Sequence, residues 1–310
     1  MKADLADLNA FLAVAQARGF RDAARTNGGS PSTLSEAVRR LETRLGVRLL
    51  HRTTRSVTPT EAGARLIERL TPALHEVESA LEVVNGFRNR PAGKLRLNVP
   101  VSAARLVLPA ILPGFLAAYP DIHVEIVADD SFVDVVASGC DAGIRYDERL
   151  EQDMIAVPIG PRVQRFATAA APAYLDRHGR PAHPRDILGH ACLRGRFASG
   201  AITSPWEFER DGEIVRVEPQ GPLLVSVGAA TDLAVDMTVA GVGIIQLFEG
   251  WLRPYLASGA LEPVLQDWWQ PFSGPFVYYS GRRLVPPPLR AFLDFIKSPS
   301  DDVAPQANRS

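Results

Sequence analysis

Cysteine is almost absent from this chain: Cys140 and Cys192 are the only two, far apart and with no second ligand nearby at metal spacing. That excludes a disulfide scaffold and reads both as small buried apolar residues. The histidines, at 51, 75, 123, 178, 183 and 190, form no H-E-x-x-H or similar metal pattern. There is no G-x-S-x-G elbow and no phosphate loop, and "AGVGII" has only two glycines of a dinucleotide fingerprint, so it reads as a tight turn. Catalysis, a cofactor and a bound metal are therefore not expected. No apolar run reaches the roughly 18 residues of a membrane span, and acids interrupt the N-terminal "MKADLADLNAF", unlike a signal peptide. The expected location is the cytoplasm.

Net charge is also small, −1 over 310 residues, but it is unevenly spread. Residues 1–60 hold ten Lys and Arg against five Asp and Glu, whereas the remaining 250 hold 24 against 30. The basic end is a candidate polyanion-binding domain, and the acidic remainder is not. The length implies two or three domains, each able to bury its own core.

Within the basic end, Leu8, Phe11, Leu12 and Ala15 recur with helical spacing, as in one amphipathic helix ending at Gly19. A short helix follows from about Phe20 to Thr26, with Ala23 and Ala24 permitting close packing, and Asn27, Gly28 and Gly29 break it. Ser30 is a good N-cap and Pro31 suits the first helical position. Leu34, Val38, Leu41 and Leu45 then form one apolar stripe that Gly46 stops. The opposite side carries Ser32, Thr33, Ser35, Glu36, Arg39 and Arg40, hydrogen-bonding groups and cations of the kind used on nucleic acid. "VRLLHRTTRSVTPTEAG" reads as a small β-hairpin whose Arg52 and Arg55 reach toward phosphates.

Ile67, Leu70, Leu74, Val77, Leu81 and Val84 alternate at intervals of three and four, the a/d seam of a coiled coil. A lone helix gains little from such a seam, so a second copy of the chain is implied, with Pro72 as a point of kinking. "RNRPAGK", residues 88–94, is a hinge. Beyond it strands and helices alternate: "KLRLNV", a helix bearing Leu108, Ile111, Leu112, Phe115, Leu116 and Tyr119, "HVEIVA", a helix at "FVDVVASG", and "DAGIRY". This order predicts parallel pairing in a doubly wound sheet. A proline-rich passage opens further α/β material over 162–267, and "GPFVYYS" returns toward the first region before a helix at "PPLRAFLDFIK". Two crossings imply two subdomains with a ligand cleft between them. The tail 299–310 lacks apolar periodicity and reads as disordered.

"AFLAVAQARGFRDAAR" followed by "SPSTLSEAVRRLETRLGVRLLHRTTRSVTPTEAG" resembles the LysR-type transcriptional regulators, a specific combination of serine cap, "RLE", "LGVRLL", "RTTRSV" and "TEAG". "LPAILPGFLAAYPDIHVEI", "GCDAGIRY" and "VAGVGII" are similar to the family's effector-binding domain. The resemblance implies an α/β protein with three parts. A winged helix-turn-helix domain occupies 1–60, a long linker helix for dimerisation 61–90, and an effector domain 91–298. The last is a two-subdomain doubly wound fold resembling type 2 periplasmic binding proteins, with subdomain I at 91–161 and 268–298 and subdomain II at 162–267. One departure is local: Asn27 and Gly29 stand where the family places apolar residues that lock the two helices, an expected packing loss on the order of 1 to 3 kcal/mol.

In such a unit the second helix enters the major groove by its N-terminal part, which points to Ser30, Ser32, Thr33, Ser35, Glu36, Arg39 and Arg40, with Arg52 and Arg55 on phosphate. The partners implied are double-stranded promoter DNA with a pseudo-palindromic site, a second copy in a homodimer or homotetramer, and a small-molecule effector, an organic anion among the options. Effector candidates are Ser102, at a helix start suited to a carboxylate, Ser131, Arg145, Arg196, Phe197, Ser199 and Gln246. Arg196 is the preferred counter-ion, and Arg145 alternatively pairs with Asp147 or Glu148. The competing reading is a solute-binding protein without sequence-specific DNA binding, against which the basic N-terminal domain argues.

Overall fold

The structure, a computed structural model, describes residues 4–27, 30–52, 57–85, 90–130, 139–146, 154–203, 205–281 and 285–298, the side chains of Asn27, His75, Glu76 and 78–85 excepted. Gly29, Arg55, Ser131, Asp147, Glu148, the segment "FVDVVAS" and the tail lie outside these residues, so the expectations placed on them have no counterpart here. The chain divides into two compact units, residues 1–81 with 136–139, and the remainder.

The first unit holds α1 (Leu5–Ala17), α2 (Phe20–Asn27), α3 (Pro31–Leu45), a two-stranded hairpin of β1 (Leu50–Arg52) and β2 (Val57–Pro59), and the start of α4 (Glu61–Asn85). The turn after α1 is made by Arg18 in the left-handed region, one residue before the Gly19 that the sequence marks. α3 begins as its residues dictate: Ser30 accepts the Thr33 N–H at 3.1 Å, Pro31 needs no donor, and Gly46 closes the helix at φ 70°. Phe11, Val14, Val38, Leu41, Leu49 and Leu50 fill a single core with almost no exposure. Gly63 is placed by close approach, since a Cβ there would lie 2.1 Å from the Leu49 carbonyl oxygen. The hairpin therefore sits flush on α4.

α4 runs through Pro72 without ending. Within this unit the expected seam is divided between core contact and solvent. Ile67, Leu70 and Leu74 pack against this unit's own core, because α4 covers the side of the core that α1 and α3 leave open. Val77 is 44% exposed.

The second unit begins with β3 (Gly93–Val99), α5 (Val101–Leu106), α6 (Leu108–Ala118), β4 (Ile122–Ala128), β5 (Ala142–Tyr146) and β6 (Met154–Pro158). It continues through β7 (Val163–Ala170), α7 (Pro172–His178), β8 (Cys192–Arg196), β9 (Trp206–Arg210), β10 (Glu213–Val217) and β11 (Leu223–Ser226). Then come α8 (Thr231–Val239), β12 (Ile244–Phe248), α9 (Glu249–Ala257), β13 (Glu262–Val264), β14 (Pro271–Ser273), β15 (Pro275–Ser280) and α10 (Pro287–Lys297).

Two large sheets result, each with its own core, beside the antiparallel β9–β10 hairpin. Subdomain I has the order β4-β3-β5-β15-β6, and subdomain II β11-β8-β12-β7-β13 with β14 also on β7. Parallel pairing holds for β3 with β4 and β5, and for β8 with β11 and β12. It fails at β15, β7 and β13, which run antiparallel to their neighbours. β7 and β15 arrive from the other subdomain without a helical crossover, so nothing imposes the parallel direction on them. The second crossing lies at Gly274, not at 268: Trp268 is buried in the core of subdomain II, and β14 pairs with β7. Leu116, expected on the buried face of α6, is 42% exposed, whereas Phe115 is fully buried.

Candidate nucleic-acid interface and effector cavity

The N-terminal turn of α3 gathers three hydroxyls. Ser30 Oγ lies 2.7 Å from Ser32 Oγ and 2.9 Å from Thr33 Oγ1. Ser32, Thr33, Glu36 and Arg39 are exposed. With side chains three and four positions apart on one helix face, they form a polar edge of the width that a major groove accepts.

Two of the expected DNA contacts are committed elsewhere. Arg40 donates to Asp7 at 2.7 Å, and this bond pushes its pKa above the ordinary value. Arg52 donates to Glu42 Oε2 at 3.0 Å and to Ser35 Oγ at 3.3 Å, and its guanidinium lies 5.1 Å from the Phe20 ring centroid. Both fold back because a carboxylate inside the domain competes with solvent for them. Two residues that the sequence reading passed over organise this unit. Glu42 Oε1 accepts the Leu49 and Leu50 N–H groups at 2.9 and 3.1 Å, which fixes the hairpin to α3. Asp7 is 1% exposed. Its signal was an acid flanking the apolar stripe of α1.

In the second unit, a cavity of about 470 Å³ opens between the two subdomains. Its apolar wall includes Phe166, Phe197, Trp206, Phe248 and Trp251. Tyr146 joins it, its ring centroid 5.1 Å from that of Phe248. Among the expected effector residues, Ser102, Arg145, Phe197 and Gln246 line this cavity, and Arg196 and Ser199 do not. Phe197 accepts the Gly200 N–H and donates to Ala201, so a tight turn carries Ser199 into solvent. Arg196 is exposed at the end of β8, and the cavity lies against the middle of that strand, at Arg194.

Arg145 is 8% exposed and donates to the Ile144 carbonyl at 2.7 Å, to the Asn98 carbonyl at 3.4 Å and to Asn98 Oδ1. The Val101 N–H at the start of α5 is already taken by Asp130 Oδ1 at 3.2 Å. A carboxylate at Ser102 would meet that acid, and α5 has only six residues, so the helix start is not an anion site. Burial, opposed by the Val101 bond, raises the Asp130 pKa from its ordinary value. Arg105 from α5 pairs with Asp232 on α8 and stacks 4.4 Å from the Trp251 ring centroid, while Trp251 Nε1 donates to the same Asp232 at 3.0 Å. This three-residue contact joins the subdomains at the cavity wall. Cys192 is no nucleophile, since burial pushes its thiol up to about 12.

The family model described as bacterial regulatory helix-turn-helix protein, lysR family, matches residues 5–64, and the LysR substrate binding domain matches 88–299. The chain belongs to the LysR family of bacterial transcriptional regulators. The HTH-type transcriptional regulator YcaN of Escherichia coli is 41% identical over 298 residues, covering 96% of each chain. PgrR, an HTH-type transcriptional regulator of the same organism, is 34% identical over 294 residues, covering 95% of this chain and 97% of its own. Among solved structures, the full-length Vibrio cholerae virulence activator AphB superposes with a TM-score of 0.64 at 26% identity, over 95% of this chain and 98% of that one. These LysR-type relatives are regulators rather than enzymes, in keeping with a site built for binding. Among the described residues no helix is long and apolar enough to cross a membrane.

Proposed function

We propose that this LysR-type regulator reads a pseudo-palindromic promoter site as a dimer, or as a tetramer of two such dimers, under the control of a small organic anion held between the subdomains. In this reading residues 1–60 bind DNA, 61–90 pair two copies, and 91–298 hold the effector. The observation that carries it is the polar edge of α3, where Ser32, Thr33, Glu36 and Arg39 stay open while Arg40 and Arg52 brace the domain behind them. Arg39 then pairs with a base or a phosphate, and the hydroxyls position the backbone. Acting on promoter DNA places the protein in the cytoplasm.

Dimerisation is assigned to the exposed Val77 and to the seam positions Leu81 and Val84 that follow at heptad spacing, since Ile67, Leu70 and Leu74 are engaged within their own domain. Effector binding reaches DNA only if it favours one arrangement of the domains over another. Footprinting on DNA upstream of the gene tests the reading. Two protected half-sites separated by about one helical turn, or a multiple of it, are expected. Uniform protection without half-sites would contradict it.

A further inference from the structure

We infer that Arg194 selects the charge of the effector, and that the effector is a small amphipathic monoanion with a hydrogen-bonding group at its other pole. The inference rests on the reading of the inter-subdomain cavity as the effector site. Four charged side chains reach the cavity wall: Asp129, Asp130, Arg145 and Arg194. Three of them are engaged. Arg145 is spent on Asn98 and Ile144 and lies in the field of Asp130, and Asp129 has a partner of its own. Arg194 is different. Its Nε is buried without a hydrogen-bond partner, and no carboxylate pairs with it among the described residues.

A guanidinium beside apolar walls is costly to leave without a counter-charge once water is displaced. A ligand filling the cavity must therefore bring acceptors to it. The planar fork of Arg matches a carboxylate in two parallel bonds. Asp129 and Asp130, which line the same cavity from subdomain I, disfavour a second negative charge. The other pole is marked by the buried Tyr146 hydroxyl on subdomain I, which the Ser102 and Gln164 side chains approach without forming a hydrogen bond of good geometry. Buried polar groups are rarely left unmatched, so this end suits a hydroxyl or carbonyl of the ligand. Trp206, Phe248 and Trp251 supply the wall for an apolar body.

A charge-matched probe set tests this on the full-length protein: phenylacetate, phenylacetamide, phenethylamine and 4-hydroxyphenylacetate, followed by calorimetry and by the fluorescence of Trp206 and Trp251. Phenylacetate should bind at least about tenfold more tightly than its amide or amine, as expected for a charge-assisted pair. Arg194→Gln should bring acid and amide within about threefold while leaving the amide unchanged, and Arg194→Lys should keep part of the preference. Arg196→Gln, off the cavity wall, should leave the preference intact. Tyr146→Phe should remove the advantage of 4-hydroxyphenylacetate over phenylacetate. An amide or amine binding as tightly as the acid, or a preference that survives Arg194→Gln, overturns the role of Arg194 and leaves the cavity reading standing. No binding of any probe, with tryptophan emission unchanged, overturns the cavity reading itself.

Discussion

Arg40 donates to the carboxylate of Asp7 over 2.7 Å, joining α3 to α1, while Arg39, its neighbour in sequence, faces solvent. The two arginines of one "RR" pair thus have different work: Arg40, half exposed, ties α3 to a buried acid, and Arg39 is open on the surface. Replacing Arg39 by Ala should weaken operator binding by roughly 1 to 3 kcal/mol and relax the preference at one base position, without altering the melting temperature. Replacing Arg40 by Ala should lower the melting temperature and weaken binding alike on every sequence. Competition binding on a panel of single-base operator variants, beside a thermal melt, checks both. A change of sequence preference in the Arg40 variant and none in the Arg39 variant would reverse the assignment.

The divided seam of α4 gives a second pair. Val77→Glu should reduce self-association at an unchanged melting temperature, because Val77 is exposed within its own unit. Leu70→Ala should cost about 1 to 2 kcal/mol of stability, because that side chain packs on the core of its own domain. Sedimentation velocity and a urea melt separate the two. Intact association in the Val77 variant would move the interface elsewhere.

Two glycines of the DNA-binding unit differ in kind. A Cβ at Gly63 meets the Leu49 carbonyl at 2.1 Å, so Gly63→Ala must shift the hairpin against α4 and should cost about 1 to 3 kcal/mol. Gly46 has open space around its Cβ position but sits at φ 70°, so Gly46→Ala should cost about 1 kcal/mol through backbone strain alone. Denaturant melts of both variants measure the difference. Equal losses would mean that the close approach at Gly63 relaxes without resistance.

Much of this was legible in the chain. The stop and start signals around α3 were local, a serine cap, a proline and a glycine, and local signals survive folding unchanged. The strands "KLRLNV", "HVEIVA" and "DAGIRY" appeared where their apolar runs lay. What the sequence did not disclose was competition between distant groups. Nothing in "VRRLET" says that Asp7, 33 positions earlier, claims Arg40, or that Glu42 holds Arg52 and the hairpin. In "CLRGR" two arginines two apart share a strand face, and only the depth of the cavity separates Arg194 from Arg196. The hairpin of β9 and β10 was readable and overlooked: Asp211 and Gly212 form its turn with φ 53° and 83°, the conformation that an Asp-Gly pair favours.

Asp130 yields a pH prediction. Its folded pKa is raised by burial, so its ionised form is disfavoured in the native state. What it contributes to stability is fully present below the unfolded carboxylate value, ~3.9, and is lost as pH rises through the higher folded value. Asp130→Asn, which can still accept the Val101 N–H, should therefore melt higher than the parent at pH 7, with the gap closing as pH falls toward 4. A variant less stable at pH 7 would mean that the Arg145 field outweighs the burial.

The most direct test of the account is a gel-shift titration of the full-length protein against DNA upstream of its own gene and of neighbouring genes, at two salt concentrations and with excess competitor. Binding that resists competitor on one fragment and weakens with salt is the predicted result. Weak binding, equal on every fragment, would contradict it.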